Sequence, residues 1–286
     1  MNKILYRTSS RWQPLLATVL LTLGATILPG RAEIPTGSVR QMEPHLSQIF
    51  ADTTRDWWLY LPAKADPSQP LAVMVFQDGH DYVKPNGAWR VPAVFDQLIH
   101  EGTMPPTVGI FLNPGHNVAA PAPQSPWRVT NRSFEYDTLS DQYARFLLEE
   151  IFPKVASIQA LTTDPDQRAI CGASSGGICA FTVAWQRPDQ FRKVLSTIGS
   201  FTNIRGGNAY PYLIRTTERK PLRLWLQDGK ADLDNAHGNW PLGNQQMAAA
   251  LSYLNYDFQF VFTDGEHNSK DAAPLLPEAL KWLWRK

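Results

Sequence analysis

The sequence predicts an α/β fold, a mostly parallel central sheet with helices on both faces. Three observations carry that expectation. Short apolar runs of strand length alternate with segments of helical periodicity. The run Leu71–Phe76 is apolar throughout, as a strand buried on both faces is. Finally, Gly172-Ala173-Ser174-Ser175-Gly176 joins the short run Ala169-Ile170-Cys171 to the apolar stretch Ile178–Trp185. A strand, a glycine-rich reversal and a helix follow one another there, and such a sharp reversal needs nearly bare flanking positions.

Before the fold comes a leader. Lys3, Arg7 and Arg11 give a basic start, Leu15 to Leu28 is apolar and uncharged, and Gly30-Arg31-Ala32 supplies small residues for cleavage. Residues 1–32 therefore read as a secretory signal peptide cut after Ala32. The apolar run is shorter than the roughly 20 residues a spanning helix needs, which favours cleavage over a retained anchor. The mature domain is then 33–286, in a secreted or periplasmic location, with no stable membrane span.

Within that domain, Leu46–Phe50 and Arg55–Pro62 read as an antiparallel edge hairpin. A polar loop, 63–70, leads into the central strand 71–76. Trp89–Glu101 reads as a helix with Val94, Phe95, Leu98 and Ile99 on one face. Val108–Leu112 is the next strand, ending in Asn113-Pro114-Gly115-His116. Residues 117–134 have no periodicity and read as a long irregular loop, which in compact domains tends to be functional. Leu139–Ala156 reads as an amphipathic helix. After the glycine-rich reversal come a strand at Val194–Ile198, a lid or rim over 202–220, a strand at Pro221–Gln227 and a helix at Gly243–Leu254. The last strand runs from Phe258 towards His267, and Leu275–Lys286 closes the chain as a helix.

The glycine-rich reversal matches G-x-S-x-G, the turn that lifts a nucleophilic serine above a sheet edge with a helix N-terminus behind it. Ser174 is the candidate nucleophile. On such folds an acid and then a histidine follow in the chain. Of the six histidines, only His237 and His267 come after Ser174. His267 lies just past an apolar strand, where open α/β sheets bind ligands. His237 lies in a polar loop with no strand before it and reads as a surface residue. For the acid, Asp228, Asp232 and Asp234 compete in one loop. Asp232, past the glycine at the loop apex, is the first choice and Asp234 the second. The acid would hold the histidine tautomer, and the histidine would take the serine proton and return it.

A site of this kind also needs two N–H donors for a developing oxyanion. One is the N–H of Ser175. The other is expected after the strand 71–76, in Gln77-Asp78-Gly79-His80-Asp81, around Gly79 or His80, with the residue left open. The glycine there would permit backbone to approach a ligand, and His80 also reads as a rim residue.

Composition narrows the partners. The whole chain has 27 Lys+Arg and 26 Asp+Glu, a net charge of +1. Without Lys3, Arg7, Arg11 and Arg31 the balance becomes −3, so nothing points to nucleic acid or an anionic membrane. The 10 Trp are many for this length; some belong to the core, and several are candidates to line a site for rings or sugars. Cys171 and Cys179 flank the reversal. An oxidising compartment would permit a disulfide, but a strand and the second turn of a helix are poorly placed for one, and two buried thiols are expected. No Cys/His cluster has metal-ligand spacing, and no cofactor is implied.

Together these residues resemble the Putative esterase branch of the α/β-hydrolases, which holds esterase D, enterochelin-esterase-type enzymes and the feruloyl and acetylxylan esterases. The resemblance covers essentially all of the mature chain. It rests on Phe76-Gln77-Asp78-Gly79, on Asn131-Arg132-Ser133-Phe134-Glu135-Tyr136-Asp137, and on Cys171–Gly177. It rests also on Leu226-Gln227-Asp228-Gly229 with Asp232, on Asn239-Trp240-Pro241-Leu242 and on Gly265-Glu266-His267-Asn268. The family implies an α/β-hydrolase catalytic domain over 33–286, with Ser174, Asp232 and His267 as its triad. It implies hydrolysis of carboxylic esters through an acyl-enzyme, on small-molecule or carbohydrate-linked substrates such as feruloyl, acetyl or siderophore esters. Some relatives transfer acyl groups instead, and a non-catalytic binding module is the remaining alternative, which an intact Ser, Asp and His oppose. Arg132 either reaches the substrate or makes a salt bridge that ties the long loop to the helix start. Trp240 either walls the pocket or packs on the acid loop.

Overall fold

The structure is a computed structural model that describes residues 33–121, 125, 128–129 and 131–286. The leader expected at 1–32 and part of the loop expected at 117–134 lie outside the described residues.

The strands are β1 (Ser38–Gln41), β2 (His45–Leu46), β3 (Thr53–Arg55), β4 (Trp57–Leu61), β5 (Ala72–Gln77), β6 (Thr107–Leu112), β7 (His116–Asn117), β8 (Arg168–Ala173), β9 (Lys193–Thr197), β10 (Arg223–Ala231), β11 (Asp234–Asn235), β12 (Gly238–Asn239) and β13 (Asp257–Glu266). Eight form one sheet in the order β1-β4-β6-β5-β8-β9-β10-β13. From β6 to β13 every pairing is parallel, and β4 and β1 add antiparallel strands at one edge.

The early hairpin is the main correction. Leu46–Phe50 and Arg55–Pro62 do not pair with one another. β2 pairs with β3, while β4 pairs with β6 on one side and β1 on the other. Asp56 separates β3 from β4, and there the chain passes from the small sheet to the main one.

The helices are α1 (Gly79–Val83), α2 (Val91–His100), α3 (Asn131–Asp137), α4 (Gln142–Arg145), α5 (Phe152–Ala156), α6 (Ser175–Gln186), α7 (Tyr210–Thr216), α8 (Trp240–Tyr253) and α9 (Leu276–Trp284). A π-helical stretch, Phe146–Ile151, joins α4 to α5, so the long amphipathic segment is continuous but unevenly wound. β5 shows why two layers form. Val73 and Val75 face a core built with α4, the π-helical stretch, α6 and α8, while Ala72, Met74 and Phe76 face one built with α1, α2 and α9. Both faces of β5 are buried, as its unbroken apolar run requires.

Cys171 belongs to one of these cores and Cys179 to the other. Both are free buried thiols. Lying on opposite faces of the sheet, they cannot be joined, and burial pushes both thiols up.

A buried ion pair fastens α3 to the small sheet. Arg55 Nη1 donates to Glu135 Oε2 at 2.7 Å and Nη2 to Oε1 at 3.1 Å, with both side chains fully buried. Asn131 and the Gly115 N–H also donate to Glu135, and the guanidinium lies 4.2 Å from the Phe146 ring centroid. Gly115 is required there, because a Cβ would meet Glu135 Oε1 at 2.5 Å. No helix among the described residues is long and apolar enough to cross a membrane.

Candidate active site

Three carboxyl-end loops of the sheet meet above β8, β10 and β13. Ser174 follows β8, Asp232 follows β10 and His267 follows β13. Ser174 has φ 58° and ψ −123°, a strained conformation for a residue with a side chain. Gly172 makes the reversal possible, because a Cβ there would meet the Gly176 carbonyl oxygen at 2.2 Å.

His267 Nδ1 donates to Asp232 Oδ1 at 2.5 Å, so the opposite nitrogen is free to accept. Nε2 accepts the Ser174 hydroxyl at 2.9 Å. Burial opposes ionisation of Asp232, but the His267 hydrogen bond and the Leu233 N–H hold its carboxyl below the usual range. His237 lies elsewhere, in an exposed turn beyond β11, and Asp234 is exposed within β11.

Sequence reasoning missed Ser200. Its hydroxyl is 3.2 Å from Ser174 Oγ, it is buried, and it follows β9 as Ser174 follows β8. Trp240 Nε1 donates to Ser200 Oγ at 3.2 Å. Because the Ser174 proton is spent on His267, the Ser200 hydroxyl is the donor to Ser174 Oγ. The only sequence hint was a Gly-Ser at a strand end. Of the two readings of Trp240, packing on the acid loop holds: it does not line the cleft at Ser174, its backbone N–H donates to the Leu233 carbonyl at 2.9 Å, and its ring meets the His267 ring edge-on at 5.7 Å.

The loop after β5 also differs in detail. Gly79 opens α1, and a Cβ on it would meet the Phe111 and Leu112 backbone at 2.3 and 2.5 Å. The glycine lets α1 approach β6, not a ligand. The Asp78 N–H donates to the Tyr136 hydroxyl at 3.2 Å, and the His80 N–H donates to Asn113 Oδ1 at 3.1 Å. His80 Nδ1 also contacts Asn113 Oδ1, at 2.8 Å, which fixes the ring beside β6. Ser175 begins α6, so its N–H has no carbonyl one turn back.

Arg132 reaches the site and is also ion-paired. Its Nε and Nη2 bind Asp78 Oδ1 and Oδ2 at 3.0 and 2.8 Å. Burial works against that charge, and Asp78 more than offsets it. The pair borders a cleft of about 360 Å³ whose wall includes Ser174, His267, Tyr82 and Trp89. Tyr82 and Trp89 lie with ring centroids 4.8 Å apart. Ile198, also in the wall, has φ 45°, a further strained position at the site. A larger cavity of about 800 Å³ lies at the amino ends of the strands, next to Lys193 and Arg223. It is remote from Ser174, and three of its arginines are paired, Arg192 with Asp166 and both Arg223 and Arg285 with Asp257.

A parallel sheet with a strained serine turn, and a histidine and a carboxylate at neighbouring strand ends, is the architecture of an α/β-hydrolase. The family profile described as Putative esterase matches residues 50–282, and the chain belongs to that family. The chain is similar to the iron(III) enterobactin esterase of Escherichia coli O6:H1, with 24% identity over 242 residues, covering 81% of this chain and 54% of that protein. The chain thus spans about half the length of that relative. Among solved structures, the enterobactin esterase of Shigella flexneri, crystallised with 2,3-dihydroxy-N-benzoyl-glycine, has a TM-score of 0.65 and 20% identity over 86% of this chain and 59% of its own. A ferulic acid esterase from the anaerobic fungus Anaeromyces mucronatus has a TM-score of 0.66 and 15% identity over 88% of this chain and 92% of its own. These structural likenesses establish the shared fold.

Proposed function

We propose that this chain is a secreted or periplasmic serine esterase whose mature domain, 33–286, hydrolyses carboxylic esters through an acyl-enzyme. The observation that carries the reading is the continuous hydrogen-bond chain from Ser174 through His267 to Asp232. In the first step Ser174 Oγ attacks the ester carbonyl while His267 Nε2 takes its proton. Asp232 steadies the imidazolium. His267 then passes the proton to the leaving alkoxide, and the acyl group stays on Ser174. Water, deprotonated by His267, releases the acid and returns Ser174 to its hydroxyl form. The Ser175 N–H at the start of α6 supplies one oxyanion donor. The second donor comes from the loop after β5 once substrate is bound.

For the substrate, the structural neighbour named as a ferulic acid esterase supports an aromatic acyl group. The Tyr82 and Trp89 wall beside Ser174 offers such a ring a place to pack. The test is hydrolysis of p-nitrophenyl acetate, p-nitrophenyl butyrate and methyl ferulate, alongside labelling by an organophosphonate. Turnover is expected, highest in kcat/KM for methyl ferulate relative to its intrinsic reactivity, with the phosphonate mass on the peptide that holds Ser174. Absence of both turnover and label would remove the esterase reading.

Ser200 is expected to matter in this scheme, because its hydroxyl orients Ser174 Oγ toward the substrate. Ser200→Ala should lower kcat by about tenfold with little change in KM, the scale of one lost hydrogen bond. An unchanged kcat would leave Ser200 a packing residue.

A further inference from the structure

We propose that Asp228 is a positioning residue for this site, a neutral carboxylic acid whose proton is donated to Oδ2 of Asp232. The inference rests on the reading of Ser174, His267 and Asp232 as a triad, and concerns what fixes the third member.

The argument begins with β10. Its pairing with β13 shifts register between Gly229 and Ala231. That irregularity lies between Asp228 and Asp232, and the carboxyl of Asp228 faces that of Asp232. Asp228 is fully buried, and the Asp232 side chain is fully buried too. Asp232 Oδ1 is occupied, accepting from His267 Nδ1 and from the Leu233 N–H, each at 2.5 Å. Asp232 Oδ2 and both oxygens of Asp228 have no nitrogen or hydroxyl donor in hydrogen-bond geometry.

Two ionised carboxylates cannot share such a place. Like charges in a buried site repel, and neither can donate to the other. One proton between them resolves both difficulties. The surroundings decide which carboxyl keeps it. His267 and the Leu233 N–H favour charge on Asp232. The groups facing Asp228 are the Gly229 N–H from its own strand, Asn244 from α8, and Asp232. The Asn244 amide is spent on the carbonyls of Gly199 and Trp240. Thr263 on β13 bonds to the Asp228 carbonyl, not its carboxyl. Among the described residues no lysine, arginine or histidine forms an ion pair with Asp228. Burial, with the hydrogen bond and charge of Asp232 added, pushes the Asp228 carboxyl up to about 9.

The consequence is that both oxygens of Asp232 are held. His267 and Leu233 fix one and Asp228 fixes the other, so the carboxylate plane cannot turn away from His267.

Two substitutions test this. In Asp228→Asn the amide can donate as the acid does, so kcat should stay within about threefold of wild type, with an unchanged pH profile of kcat/KM. In Asp228→Ala the buried oxygen of Asp232 loses its donor, and kcat should fall about tenfold to hundredfold while KM holds. The second readout is thermal unfolding, which does not depend on activity. A carboxyl whose folded pKa is raised binds a proton in the folded state that the unfolded chain releases, so the wild type loses stability as pH rises above the unfolded value. Asp228→Asn escapes that loss. It should therefore be more stable than wild type near about pH 8, with the gap closing toward about pH 4. The proposal is overturned if Asp228→Asn is as impaired as Asp228→Ala, if Asp228→Ala is unimpaired, or if Asp228→Asn is the less stable protein near about pH 8. Should the wild type hydrolyse no ester, the triad reading fails, and the unfolding comparison still reports whether Asp228 carries the proton.

Discussion

Ser174→Ala is expected to lower the kcat of ester hydrolysis by roughly a million-fold, the scale seen when a triad serine is removed from another hydrolase. Ser200 is the nearest hydroxyl, but it is 1% exposed and its oxygen already accepts from Trp240. His267→Ala should cost about as much, and the double variant no more than either, because the two groups act as one unit. Asp232→Asn should cost about 10⁴-fold through the wrong imidazole tautomer. KM should change little in all of them, since none of the three removes a wall of the cleft. Steady-state kinetics on one p-nitrophenyl ester decides the matter. Additive losses in the double variant would mean that Ser174 and His267 do not share a proton path.

The second large effect concerns the fold. Glu135→Ala leaves Arg55 buried without its partner and should cost about 3–5 kcal/mol of stability, read as a lower urea midpoint. Replacing both residues, as Arg55→Met with Glu135→Leu, should recover most of that loss, because removing both charges also removes their desolvation cost. The damage should extend to activity. Arg132 lies one turn before Glu135 on α3, so a loosened α3 also loosens the Arg132–Asp78 pair at the cleft. A double variant that recovers stability but not kcat/KM would place the importance of the pair in positioning Arg132.

Much of this was legible in the sequence because the physics was local. β5, β6 and β8 are apolar runs buried on both faces, and such runs announce themselves. Gly172 and Gly176 mark a turn that few other sequences can make. His267 was legible as the histidine just past an apolar strand. Other elements carried no such mark. β1 is exposed at all four positions, so no apolar pattern reveals it, and only β4 as a partner makes it a strand. α1 and α3 are short and polar. They exist because Gly79 packs on β6 and because Glu135 is drawn to Arg55, contacts between residues far apart in the chain. The reason for Gly79 was misread on the same ground. Gly79 was legible as a close approach, but not what it approaches. Ser200 and the Asp228–Asp232 contact depend on how separate strands align at their ends, which a single sequence does not state.

The π-helical stretch has a consequence for comparing relatives. A π-turn is one residue longer than the α-turn it replaces, and one residue is about 100° of rotation. Here the extra residue lets Phe146, Leu147 and Ile151 all point inward while Glu150 turns toward the small sheet, where it pairs with His45 and accepts from the backbone N–H groups of Gln48 and Ile49. Aligned without a gap to a homologue that lacks the widening, every position of α5 would be paired with a neighbour one step out of phase. Core and surface residues would then appear to interchange without any change of structure.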